Sequence, residues 1–278
     1  VNDPSHDPDL AHPLRALPPH VRDDGDETHG PTRRGIYLLP NLITTGALFA
    51  GFYSIVAAMN DSVITAALAI YAAVLMDTAD GRVARLTRTQ SAFGAEYDSL
   101  SDMVAFGVAP ALVAFTWALS HLGQFGWVVT FLYMACTALR LARFNTAGDI
   151  SSFTGLASPS AAVMVVTTIW VLEDGRTSGQ FAAISGAYVG ITAVVTAIAA
   201  LLMVSNFRYF SPKMLTLRGR VPFVALVAVV LGFAVVLIDP PRVLLALVVI
   251  YAISGPLQWV AGLRKRRAGR ATDHDDAR

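Results

Sequence analysis

From Ile36 onward, long apolar runs alternate with short polar connections, and their lengths approach the roughly 20 mainly apolar residues that a helix needs to cross a bilayer. They predict spans at 38–59, 62–81, 99–119, 125–142, 158–173, 180–204, 221–238 and 242–262. The fold class is therefore all-α, a polytopic membrane helix bundle of about eight transmembrane helices. Residues 1–32 have no helical or alternating apolar period and lack the apolar core of a signal peptide, so they read as a disordered tail. The histidines of that tail are irregularly spaced, which favours solvated side chains over a metal site. The chain divides into the tail 1–32, a membrane domain 33–262 and a basic then acidic tail 263–278.

The basic residues give the bundle a direction. Cytoplasmic segments beside spans retain Lys and Arg, and with a cytoplasmic N-terminus nineteen of the 21 fall on inside segments, leaving Arg176 and Arg242 outside. Alternation with both termini in the cytoplasm is expected, in the plasma membrane. Composition agrees: 54% hydrophobic and 15% charged residues, with a mean hydropathy of +0.54, against roughly 45–50% and 25% in soluble domains. The partner is the lipid bilayer, and a net charge of +1 carries no nucleic-acid footprint. The single cysteine, Cys136, rules out an internal disulfide and reads as packing. Spans seven and eight, poor in polar residues, read as scaffold or as the interface of a homodimer.

One polar stretch breaks the apolar pattern. It reads Asp77-x-x-Asp80-Gly81-x-x-Ala84-Arg85, eight residues, Gly94, three residues, Asp98, three residues, Asp102. Ionised groups at membrane depth are expensive unless they meet a cation or a polar cavity. On helices, Asp77, Asp80, Gly81 and Ala84 share a face, as do Asp98 and Asp102, so spans two and three present two carboxylates each. Four crowded carboxylates take up protons unless divalent cations neutralise them. Oxygen ligands select Mg²⁺, Mn²⁺ or Ca²⁺ over thiophilic metals, and four acids suffice for two ions, a recurrent device for displacement at phosphorus. The small residues Gly81 and Ala84 let a diphosphate approach the backbone.

This pattern resembles the signature of the CDP-alcohol phosphotransferase family and fills every defining position. The resemblance implies that family's helical membrane fold and a reaction joining a CDP-linked lipid to an alcohol with release of CMP. It also implies that Asp77, Asp80, Asp98 and Asp102 hold two divalent cations, Mg²⁺ or Mn²⁺, with Asp102 taking the proton of the acceptor hydroxyl. Gly81, Ala84, Arg85 and Ser91 become expected contacts to CDP-diacylglycerol, joined by Asn41 and Thr44 at the start of span one. As bare residues, Asn41 and Thr44 mark a helix start, with Asn as the cap.

Three later segments, 138–145, 153–159 and 202–209, resemble the phosphatidylserine synthase branch of the family, which makes L-serine the expected acceptor. The carboxylate of serine needs a cation. Arg140 and Arg143, three apart at the end of span four with Asn145 just beyond, are placed to supply one, and Arg208 and Lys213 could bind serine or lipid phosphate. Ala157 stands where the branch often has Pro, so a different bend is expected there. Two readings compete: a related enzyme with inositol phosphate or glycerol phosphate as acceptor, which also needs Arg clusters, and a membrane cation transporter. The second is disfavoured because the sequence shows neither internal repeats nor broken helices near the midplane.

Overall fold

The computed structural model describes residues 34–87, 89, 91–146, 154–179, 186–207, 209 and 223–275, so the predicted tail 1–32 lies outside the described residues. Its helices are α1 (Arg34–Met59), α2 (Val63–Thr87), α3 (Ala92–Asp102), α4 (Ala109–Trp117), α5 (Gln124–Thr146), α6 (Ser158–Thr177), α7 (Gly186–Val204), α8 (Phe223–Ile238) and α9 (Pro240–Asp275). A π-helical turn, Met103–Val108, joins α3 to α4 into one rod. The described residues of each predicted span thus fall on a helical rod, and 180–185 and 221–222 lie outside the described residues.

Six of these rods are long and apolar enough to cross a membrane among the described residues, making this an integral membrane protein. The other two are α8, with 16 residues, and α6. Helix α6 packs against α2, α4, α7 and α9, and Ala161, Ala162, Val165, Val166 and Ile169 on it are all buried. A helix wrapped by others is not required to be apolar on every face. Its polar groups are met inside the bundle: Thr167 pairs with the Tyr71 hydroxyl of α2, and Glu173 accepts from Trp117 Nε1 at 3.0 Å.

Helices α1 and α2 form a hairpin whose contact face is built from buried Ala57, Ala58, Ala66, Ala67 and Ala73. Small residues let backbones approach closely in a membrane bundle, and Ser54 Oγ reaches across to donate to the Ala66 carbonyl at 2.8 Å. Two boundaries differ from expectation. Helix α2 runs on to Thr87 rather than ending at 81, and α3 starts at Ala92 rather than 99. The first extension meets no helix breaker after Gly81; the second starts at Ser91, whose Oγ accepts from the Gly94 N–H at 3.0 Å. Asp77, Asp80 and Asp98 therefore lie inside helices, and Asp102 stands where α3 passes into the π turn.

The loop before α6 keeps the shape that proline would impose. Ala157 adopts φ −61°, ψ 138°, within the range fixed by a pyrrolidine ring, so the backbone here would also accept proline. The preceding Gly155 has φ +83°, and a Cβ there would fall 2.3 Å from the Met203 carbonyl oxygen. Its N–H donates to the Phe207 carbonyl and that of Leu156 to the Leu202 carbonyl, both at 2.9 Å, fastening the loop to the end of α7.

Gly51 is the tightest helix crossing near the π turn: a Cβ there would lie 2.6 Å from Ala105 Cα. Gly51→Val is expected to destabilise the protein by about 1–3 kcal/mol through overpacking. Gly190→Ala, where no atom lies within 4 Å, should instead stabilise by about 0.5–1 kcal/mol through helix propensity. Thermal unfolding in detergent, compared with the unaltered protein, measures both.

Candidate active site

The carboxylates of Asp77 on α2 and of Asp98 and Asp102 on α3 each place an oxygen within 4.8 Å of the others. Asp80, almost one turn beyond Asp77, stands slightly apart. It is 4% exposed, and Thr44 Oγ1 on α1 donates to its Oδ2 at 2.7 Å. The other end of Thr44 ties down α3, since its carbonyl accepts from Ser101 Oγ at 3.2 Å. Thr44 therefore touches both acidic helices. It makes this contact with Asp80 in addition to lining the cavity expected to hold the nucleotide.

Two cavities meet at the acids. The smaller, about 260 Å³, is walled by Asn41, Thr44, Asp80, Gly81, Ala84, Ser91, Gly94 and Asp98. The larger, about 540 Å³, is walled by Asp77, Asp80, Gly81, Arg82, Arg85, Asp98, Ser99, Asp102, Arg140 and Ser158. Asp80, Gly81 and Asp98 face both. A Cβ at Gly81 would touch only Arg85 Nη1, at 3.7 Å, so no protein neighbour requires glycine here. The space a side chain would fill is cavity.

Of the residues expected to bind CDP-diacylglycerol, Asn41, Thr44, Ala84 and Ser91 line the smaller cavity, Arg85 lines the larger and Gly81 lines both. Ser91 also caps α3, a dual placement that its position three residues before Gly94 already encodes.

The expected acceptor residues separate. Arg140 lines the larger cavity and donates through Nη1 to Ser158 Oγ at 3.0 Å. Arg143 is exposed and absent from that wall. Asn145 is exposed too, and its amide donates to Ser99 Oγ at 3.0 Å, so it braces a wall residue from behind. Arg208 and Lys213 lie outside the described residues. Ser158 and Ser99 were not foreseen. Ser158 could have been found from its place beside Pro159 in the segment 153–159, and Ser99 from its place next to Asp98.

Three hard oxygen donors brought together from two helices fit a divalent cation, and the mutual repulsion of carboxylates at this spacing favours one. The groove beside Gly81 leaves room for phosphate oxygens next to the acids. A helical membrane bundle with a carboxylate centre shared by two cavities is suited to binding a cation-bridged anionic substrate at the membrane. The family model described as CDP-alcohol phosphatidyltransferase matches residues 37–205, and the chain belongs to that family. Among its relatives, a protein of Helicobacter pylori strain J99 named CDP-diacylglycerol–serine O-phosphatidyltransferase is 36% identical over 228 residues, 81% of this chain and 92% of the relative. Proteins of the same name from Methanocaldococcus jannaschii and Saccharomyces cerevisiae are 35% identical over 193 residues and 33% over 179, covering 69% and 57% of this chain and 83% and 64% of theirs.

Thr44 generates a test of the carboxylate centre. Thr44→Val keeps the shape but leaves Asp80 without its hydroxyl partner, and outer-shell losses of this kind cost about 10–100-fold in metal affinity. Titration of the purified protein with Mn²⁺, followed by electron paramagnetic resonance of the free ion, is expected to show weakening in that range for Thr44→Val and near-normal binding for Thr44→Ser.

Proposed function

We propose that this protein transfers the phosphatidyl group of CDP-diacylglycerol to L-serine, releasing CMP, as its named relatives do. The observation that carries the reading is the shared wall. Asp80, Gly81 and Asp98 stand between a small cavity lined by the residues expected to meet the nucleotide and a larger one that contains Arg140. Donor and acceptor thereby reach the carboxylates from different sides, which is what displacement at a single phosphorus requires.

Asp77, Asp80, Asp98 and Asp102 are the residues that would hold two divalent cations, Mg²⁺ or Mn²⁺. When bound, such ions neutralise the diphosphate and stabilise charge on the leaving CMP. The chain's own groups do the rest. Thr44 links the two acidic helices, through its hydroxyl to Asp80 and its carbonyl to Ser101, and orients them. Asp102 accepts the proton as the serine O–H bond breaks. The serine oxygen then bonds to the phosphorus bearing diacylglycerol, and the bond from that phosphorus to CMP breaks. Arg140 meets the carboxylate of serine. The acyl chains stay in lipid, and the carboxylate centre faces the cytoplasm of a plasma-membrane protein with both termini on that side, as the distribution of Lys and Arg supports.

Release of CMP by purified protein in mixed micelles of CDP-diacylglycerol tests the assignment. L-serine is expected to support turnover, and inositol phosphate and glycerol phosphate are not; turnover with a phosphorylated alcohol alone moves the protein to another acceptor class. Asp102→Asn should lower kcat about 10²–10⁴-fold, the usual contribution of a general base, while the variant still inserts into membranes and unfolds at a normal temperature.

A further inference from the structure

Arg140 is a cation set in the same wall as Asp77, Asp98 and Asp102. Among the described residues it nevertheless forms no ion pair; its only hydrogen bond runs from Nη1 to the neutral hydroxyl of Ser158. Its Nε is enclosed and has no hydrogen-bond partner. An Arg side chain is long, always charged and readily bidentate to carboxylates, so left to itself beside an acidic cluster it would swing onto it. Ser158 occupies the place from which that swing is restrained. It is fully buried, opens α6 and is held by the loop that Gly155 and Leu156 fasten to α7.

Helix capping does not account for this serine. The N-cap of α6 is Ala157, and no side-chain cap bond is present. The hydroxyl is turned toward α5, where it meets the guanidinium.

From these contacts we propose that Ser158 is a positioning residue that sets acceptor selectivity. It holds Arg140 away from the metal-binding carboxylates and leaves the guanidinium's remaining N–H groups for the carboxylate of the acceptor. The proposal rests on the reading of this protein as a serine phosphatidyltransferase. Loss of the hydroxyl has two consequences. The acceptor clamp is misaligned, and Arg140 gains freedom to pair with the acids. Binding of the lipid donor, through residues of α1, α2 and the link to α3 that neither Ser158 nor Arg140 contacts by hydrogen bond, is left intact.

Steady-state CMP release by the full-length protein in mixed micelles, with L-serine and with L-serinamide, in which an uncharged amide replaces the carboxylate, tests this. Ser158→Ala is expected to raise KM for L-serine about tenfold, to leave KM for CDP-diacylglycerol within about twofold, and to shrink the preference for L-serine over L-serinamide by a similar tenfold, the size of one lost charge-assisted contact. Ser158→Thr, which keeps the hydroxyl, should restore the KM and the preference. Should the alanine protein not be recovered folded, Ser158→Cys, with a weak acceptor of similar size, is expected to show the same pattern. A normal KM for L-serine and an unchanged preference in a folded variant lacking the hydroxyl overturn the role of Ser158 and leave the activity standing. Absence of CMP release from L-serine by the unaltered protein overturns the activity on which the role depends.

Discussion

Holding carboxylates together against their own repulsion is the constraint on which this end of the bundle depends. Two ionised carboxylates no more than 4.8 Å apart, as the oxygens of Asp77, Asp98 and Asp102 are, repel by about 3–4 kcal/mol or more at an effective dielectric constant of 20. A single hydrogen bond to a charged group, such as that from Thr44 to Asp80, returns about 1.5–3 kcal/mol net, less than the repulsion, so it orients the acids without holding them. The holding comes from packing. Helix α1 lies along α2 through a face of buried alanines, and at Gly51 it comes so close to Ala105 that no side chain fits between them. Approach of α2 and α3 is thus enforced through α1 by apolar contact that begins about one turn from the acids, at Ala73 and Ala105, where it costs nothing electrostatically.

The π turn at Met103–Val108 belongs to the same solution. It begins directly after Asp102, and its i→i+5 bond from the Ala109 N–H to the Val104 carbonyl adds a residue to the turn. That changes the phase between α3 and α4: Asp98 and Asp102 face the cavity, while Ala105, Phe106, Ala109 and Val113 are buried in the core. Tyr133 donates to the Phe106 carbonyl at 3.1 Å within this turn. One rod is therefore acidic on the side of the site at one end and wholly apolar inside the bundle at the other. At the far end the polar groups close on one another instead, with Glu173 held by Trp117 and Arg176, and Asp174 by Arg242 at 3.3 Å.

Much of this was legible in the chain. The described part of each expected span falls on a helix because apolar length is a strong signal, and the pattern from Asp77 to Asp102 located the carboxylates because its spacing is helical on both sides of one turn. What could not be read was tertiary. Arg140 and Arg143 are three apart and share a nominal face, yet Arg140, Leu141 and Phe144 line the larger cavity while Arg143 is exposed, because sequence spacing alone does not report how α5 is rotated against the site. Asn145 looked like a ligand group, but bonds to Ser99, because its partner lies 46 residues away on another helix. Ser91 read as a ligand contact although it also caps α3, and Ala157 looked like a departure although its φ is that of proline. In both cases local backbone geometry carries a role that residue identity alone does not display.

The two cavities divide the labour along the sequence. Every residue named on the smaller one lies between Asn41 and Asp98, on α1, α2, α3 and the short link between α2 and α3. The larger one adds Arg140, Leu141, Phe144, Ser158 and Pro159 from α5 and α6. Under the proposed reading, donor recognition and phosphoryl transfer are thus confined to the first three helices, and acceptor recognition is added by two helices that contribute nothing to the nucleotide side. That separation explains why the donor chemistry is written as one dense pattern while the acceptor is marked by scattered residues. The former must crowd charges within one hairpin and its neighbour. The latter needs only one cation, correctly held, and a serine hydroxyl on a different helix is enough to hold it.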